Sequence, residues 1–170
     1  MKYLICSDIH GSFAATQKLV KHFNELACDY MVILGDTLYF GPRNPFPEEY
    51  VPAKVAELLN SLSDKVIAVR GNCDSEVDQF VLDFPMLSDY VLIIDEGRRL
   101  FITHGHVYSP EKMPKLGKND FFFFGHTHVR TLETHNGITI CNPGSASMPK
   151  DNMPPAFAIY ESGQISWYDL

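Results

Sequence analysis

Five short polar motifs carry the side chains of this chain that could do chemistry: Asp8-x-His10, Gly35-Asp36, Gly71-Asn72-Cys73-Asp74, His104-Gly105-His106 and Gly125-His126-x-His128. Carboxylates, imidazoles and an amide carbonyl are the donors that first-row divalent ions accept, and the two oxygens of an aspartate can bridge a pair of ions. Thiolates are not required. One-residue spacing lets Asp8 and His10, and likewise His126 and His128, point the same way from an extended segment. A lone Asp-x-His is common, and a histidine beside a strand is often satisfied by a backbone carbonyl and nothing more. Five such motifs in one chain are another matter, because so many polar groups buried without a common partner would be costly. Five of the seven histidines fall in these motifs, which leaves His22 and His135 as surface residues.

Each motif follows an apolar run. Lys2 to Ser7 reads as a buried strand, Tyr30 to Leu34 as a second and Lys65 to Val69 as a third. Between them the spacing predicts a helix capped by Ser12, with Phe13, Leu19, Val20, Phe23 and Leu26 on one face, and another from about Glu48 to Leu62 after the Gly- and Pro-rich loop Gly35 to Pro47. Strand, helix, strand, helix, strand is the pattern of a parallel sheet with helices on its face. The second half is richer in strands. Tyr90 to Ile94 and Arg99 to Thr103 flank a turn at Glu96-Gly97, and Phe121 to Phe124, Thr131 to His135, Ile138 to Cys141, Ala156 to Tyr160 and Gln164 to Tyr168 read as short strands. The expectation is an α/β sheet-on-sheet core with helices outside. Ligands of such folds sit beyond the carboxyl ends of strands, where the five motifs lie.

With 170 residues and 45% hydrophobic side chains, the chain suits one domain spanning 1–170. A net charge of −7 and the lack of a basic, aromatic-interleaved stretch argue against a nucleic-acid polymer as partner. No segment reads as a signal peptide or membrane span, and the four cysteines lack C-x-x-C spacing, so a reduced cytoplasmic setting is expected.

The ordered set Asp8-x-His10, Gly35-Asp36, Gly71-Asn72, His104 and Gly125-His126-x-His128 resembles the signature of the calcineurin-like metallophosphoesterases. The runs Gly35 to Pro45 and Lys65 to Asp78 look like those of the bacterial YfcE-type phosphodiesterases, and the likeness extends from Met1 to about Pro149. The resemblance implies a four-layer sandwich, two β-sheets flanked by helices, and a site holding two divalent ions, usually Mn²⁺. It divides the ligands residue by residue: Asp8, His10, Asp36 and His128 for one ion, Asp36, Asn72, His104 and His126 for the other, with Asp36 as the bridge. The wider superfamily has a histidine where this chain has Cys73; YfcE-type relatives share the cysteine. The general acid is thereby left open, and Cys73 either packs beneath the site or takes part in the chemistry.

The implied reaction is hydrolysis of a small phosphodiester by a hydroxide bridging the two ions, without a covalent phosphoenzyme. His106 would donate to a phosphate oxygen, act as the acid or orient His104. Arg43 either clamps phosphate in bidentate fashion or is simply solvated. Asn142-Pro143-Gly144-Ser145 resembles a family segment that lines the pocket, with turn formation as its plain alternative. Two rival readings stand beside this one: a phosphomonoesterase or nuclease of the same superfamily, and an interaction scaffold like the retromer subunit Vps29. The apolar tracts near Phe46 and Met153 are expected to serve any interface between copies of the chain.

Overall fold

Alternation along Lys2–Cys6 (β1) divides the interior in two. Tyr3 and Ile5 face a core shared with the second sheet, while Leu4 and Cys6 face a core shared with helices. Period-two side-chain direction is the cause. The computed structural model describes residues 1–170.

One sheet has the strand order β10-β9-β1-β2-β3, with β2 at Tyr30–Ile33, β3 at Val66–Ala68, β9 at Ala156–Glu161 and β10 at Gln164–Asp169. Strands β1, β2 and β3 run parallel, and β9 returns antiparallel to β1 with Tyr3 opposite Tyr160. The other sheet has the order β4-β5-β6-β8-β7: β4 is Tyr90–Asp95, β5 Arg98–Thr103, β6 Phe121–Phe123, β7 Thr131–His135 and β8 Ile138–Asn142. Here β5, β6 and β8 are parallel and the two edge strands antiparallel. Phe121 and Phe123 point into the inter-sheet core and Phe122 and Phe124 outward, so the phenylalanine run is apolar because both faces of β6 are covered.

Helix α1 (Phe13–Glu25) begins where Ser12 accepts the Ala15 amide at 3.2 Å, and it buries Ala15, Thr16, Leu19 and Phe23 on the first sheet. Helix α2 covers Pro52–Asn60, shorter than the Glu48 to Leu62 expected. Pro52 occupies its first turn, and a proline disfavours helical backbone in the residue before it. Helix α3 (Glu76–Val81), which periodicity did not reveal, buries none of its residues; a reciprocal Ser75–Asp78 capping box sets its start. The outer face of the second sheet is covered by the segment between β5 and β6, which places Tyr108, Met113 and Leu116 on Phe101 and Phe122 and contains one 3₁₀ turn, Pro110–Lys112. The four-layer order therefore holds, with an irregular fourth layer. No helix is long and apolar enough to cross a membrane.

Candidate metal centre

Strands β1, β2, β3, β5 and β6 end at the same side of the sandwich, and their five motifs meet there. The backbone at this edge is unusual. Asp8, His10, Asp36, His126 and His128 have φ of 54°, 51°, 53°, 65° and 62°. Left-handed backbone costs an ordinary residue roughly 1–2 kcal/mol, and it persists where surrounding structure over-determines it.

That structure is a set of hydrogen bonds between loops. Asp8 N–H donates to the Gly35 carbonyl at 3.1 Å and His10 N–H to that of Asp36 at 2.9 Å. The Ser145 and Ser147 hydroxyls donate to the Asp8 carbonyl at 2.8 and 3.0 Å. Asp8 Oδ2 accepts the Ser7 hydroxyl at 2.6 Å and the His126 amide at 3.0 Å, which ties the first motif to the last. Asn142 Nδ2 donates to the Gly125 carbonyl at 2.8 Å and to Thr127 Oγ1 at 3.0 Å. The stretch from Asn142 to Ser145 is buried behind the ligand loops and braces them; it does not line the cleft, as its likeness to a family segment had suggested.

Asp74, to which sequence reasoning gave no role, joins the second and third motifs. Its Oδ2 accepts the amides of Asp36 (2.8 Å) and Gly71 (2.7 Å), and its Oδ1 that of Thr37 (2.8 Å). A carboxylate three residues beyond a loop glycine was the available signal. Gly71 is required by close approach, since a Cβ there would overlap the Asp36 carboxylate. Burial pushes Asp74 up to about 6 against the pull of the three amides.

Three histidines are held alike. Nδ1 of His10 lies 2.8 Å from the Tyr39 carbonyl, that of His104 2.7 Å from the Leu34 carbonyl, and that of His128 2.7 Å from the Met148 carbonyl. A carbonyl can only accept, so each Nδ1 carries a proton and each ring is held with its Nε2 turned inward. Those nitrogens converge on one another and on oxygen atoms. His10 Nε2 and His128 Nε2 are 3.3 Å apart, His128 Nε2 is 3.2 Å from Asp8 Oδ1, His104 Nε2 is 3.5 Å from Asp36 Oδ2, and His104 Nε2 is 3.0 Å from Asn72 Oδ1. Asp8 Oδ1 is buried with no hydrogen-bond donor. Imidazole nitrogens gathered around an unpartnered carboxylate oxygen are a donor set that cations complete, and the residues present fit divalent ions. Two groups that could each hold an ion share Asp8 and differ otherwise: Asp8 with His10 and His128, and Asp8 with Asp36 and His104. Burial works against ionisation of Asp8, but His10 and His128, with His104 beyond, hold its carboxyl well below the usual carboxylate range.

The remaining residues singled out from sequence stand around this centre. His126 is exposed, its ring 5.1 Å from that of His104. His106 is exposed at 5.3 Å from the same ring, and partial burial followed by the charges of His104 and His126 lowers its pKa. Cys73 donates its backbone N–H to Asp36 Oδ1 at 2.8 Å, and its sulfur groups with His10 and Asp36 within 4.8 Å. Burial, then the Asp36 charge, pushes its thiol up to about 12. Arg43 and Lys150 are exposed on the walls of a cleft of about 920 Å³ that opens over Asp36, Asn72 and His128. His135 is exposed, whereas His22 is half-buried with its ring 5.2 Å from Phe157.

Comparison with known proteins agrees with this geometry. Residues 1–164 match the calcineurin-like phosphoesterase superfamily domain. The chain is 48% identical over 166 residues, 98% of its length and 90% of the relative's, to phosphodiesterase YfcE of Escherichia coli. The solved structure of that protein, described as a phosphoesterase, superposes with a TM-score of 0.93 over 95% of this chain and 89% of the other. Phosphodiesterase MJ0936 of Methanocaldococcus jannaschii is 28% identical over 85% of this chain and 83% of its own. Zinc-complexed Vps29 of Entamoeba histolytica, 19% identical with a TM-score of 0.64 over 99% of this chain and 97% of the other, shares the fold. The chain is therefore an enzyme of the calcineurin-like phosphoesterase superfamily, of the YfcE type.

Proposed function

We propose that the chain hydrolyses a small phosphodiester with two divalent ions, most readily Mn²⁺, held by Asp8, His10, Asp36 and His128 and by Asp36, Asn72, His104 and His126. The convergence of three histidine Nε2 atoms on Asp8 and Asp36, each ring held by a carbonyl at Nδ1, is the observation that carries this reading. Bound there, such ions supply Lewis acidity that activates water at neutral pH and offsets charge on the phosphoryl oxygens. The chain's residues do the rest. Carbonyls of Leu34, Tyr39 and Met148 fix the imidazoles, and Asp74 fixes the Asp36 loop. His106, kept neutral, offers an N–H to a phosphoryl oxygen, and Arg43 reaches the substrate from the cleft wall. Cys73, with its proton held tightly, shapes the floor beside Asp36. Oxygen from water bonds to phosphorus as the bond to the departing alkoxide breaks, in one displacement with inversion.

The names of the two relatives called phosphodiesterases support the diester over the monoester. The test is hydrolysis of bis-p-nitrophenyl phosphate beside p-nitrophenyl phosphate by metal-stripped protein resupplied with Mn²⁺, with Asp36→Ala as control. Faster diester cleavage, abolished by chelation and by the substitution, is expected. No cleavage of either ester with any divalent ion would favour a scaffold like Vps29, whose fold the chain shares.

A further inference from the structure

The cleft over the metal ligands does not end at its polar wall. A second depression of about 440 Å³ adjoins it, and Tyr39, Val77 and Asp78 line both. Tyr39 is anchored at the centre itself, since its carbonyl accepts His10 Nδ1–H at 2.8 Å. From there the lining turns apolar: buried Leu38 and Ala56 contribute to it together with Tyr50 and the exposed Val81 of α3. Seven of its ten lining residues are hydrophobic, where the cleft has three of sixteen, so the character of the surface changes within one continuous groove.

Helix α3 explains how the groove stays open. Its capping box holds it in place through Asp78, whose Oδ2 accepts the Ser75 amide at 2.7 Å, yet none of its residues is buried. Val77 and Val81, four apart and thus on one face, are 70% and 50% exposed. Apolar side chains arranged this way beside a phosphate-handling centre are matched by a ligand that is charged at one end and apolar at the other.

Resting on the reading of the centre as a phosphodiesterase site, we infer that the groove of Tyr39, Val77 and Val81 binds an apolar ester group of the substrate, making the preferred class phosphodiesters with an alkyl or aryl substituent. Phosphorus sits at the metal ligands, and the substituent runs past Tyr39 along α3. The inference concerns binding of the substituent and adds no chemical step.

Alkyl monophosphates test it, because they carry phosphate and chain whichever ester bond the enzyme cleaves. Octyl phosphate and ethyl phosphate are compared as competitive inhibitors of Mn²⁺-dependent bis-p-nitrophenyl phosphate hydrolysis by the wild-type enzyme and by Val77→Asp and Val81→Asp. Octyl phosphate is expected to bind on the order of tenfold tighter, the effect of burying roughly two of its six additional methylenes. Each substitution should bring the inhibition constants of octyl and ethyl phosphate to near equality, a ratio that cancels any effect of the added charge on phosphate binding itself; Val77→Leu should keep the preference. Equal inhibition constants in the wild type, or a preference that survives both aspartates, would overturn the inference. So would sedimentation showing that this face joins two copies, with a dimer that Val81→Asp dissociates. Absence of any hydrolysis of the reporter would instead refute the phosphodiesterase reading itself.

Discussion

The two ends of the sandwich use the same unusual backbone for different purposes. At the end away from the ligands, the hairpins turn through Glu96-Gly97, Asn136-Gly137 and Ser162-Gly163, with φ of 50° and 77°, 53° and 82°, and 49° and 82°. These are exposed two-residue turns whose left-handed pairs match the twist of the strands they join. At the ligand end, left-handed residues are Asp8, His10, Asp36, His126 and His128, and four of the five are buried. No hairpin geometry demands them. They are held by bonds from distant segments: Asp74 to the Asp36 loop, Ser145 and Ser147 to Asp8, and His126 N–H to Asp8 Oδ2. Strain at one end is local and conformational, whereas at the other it is imposed by tertiary structure so that inward-facing donors meet.

Breaking the imposed end should have the larger effects. Asp36→Ala, which removes the carboxylate facing His10, His104 and the Cys73 amide, should lower kcat/KM for the diester by roughly a thousandfold or more while secondary structure by circular dichroism is retained. Gly71→Ala drives a methyl group into that carboxylate and should cost on the order of a hundredfold in activity with weaker Mn²⁺ binding by calorimetry. Asp74→Asn, which leaves one of two accepting oxygens, should weaken Mn²⁺ binding by roughly ten- to a hundredfold.

Asp74 also predicts a pH dependence. Its folded value, about 6, lies above the ordinary 3.8. Protonation thus favours the folded state: the contribution is complete below the unfolded pKa and is lost as pH rises through the folded one. Urea titrations of metal-stripped protein should show stability falling by on the order of 3 kcal/mol from this group between about pH 4 and 6. Asp74→Asn should remove that fall. The smallest effect belongs to the local end, where Gly97→Ala meets open space and only the backbone penalty; it should cost about 1 kcal/mol of stability with diesterase activity unchanged.

What could be read in the sequence follows the same division. The five motifs were legible because each combines a chemically distinctive residue with a strand end, and the first hairpin because a left-handed pair needs glycine at Gly97; the turns at Gly137 and Gly163 went unread although the same signal stood there. Helix α3 was hidden because it buries no face and so has no apolar period; only Ser75 and Asp78 marked it. The start of α2 was misplaced by discounting Pro52. Asp74 and the Asn142 to Ser145 brace act through backbone groups of residues far away in the chain, contacts that spacing does not encode. The return of β9 to pair with β1 is of the same kind.

The most direct test of the central claim is metal stoichiometry. Protein dialysed to equilibrium against Mn²⁺ and analysed by inductively coupled plasma mass spectrometry should hold about two ions per chain, and Asp36→Ala about one or fewer, in parallel with loss of diesterase activity. A fully active wild-type enzyme with one ion or none would contradict the account.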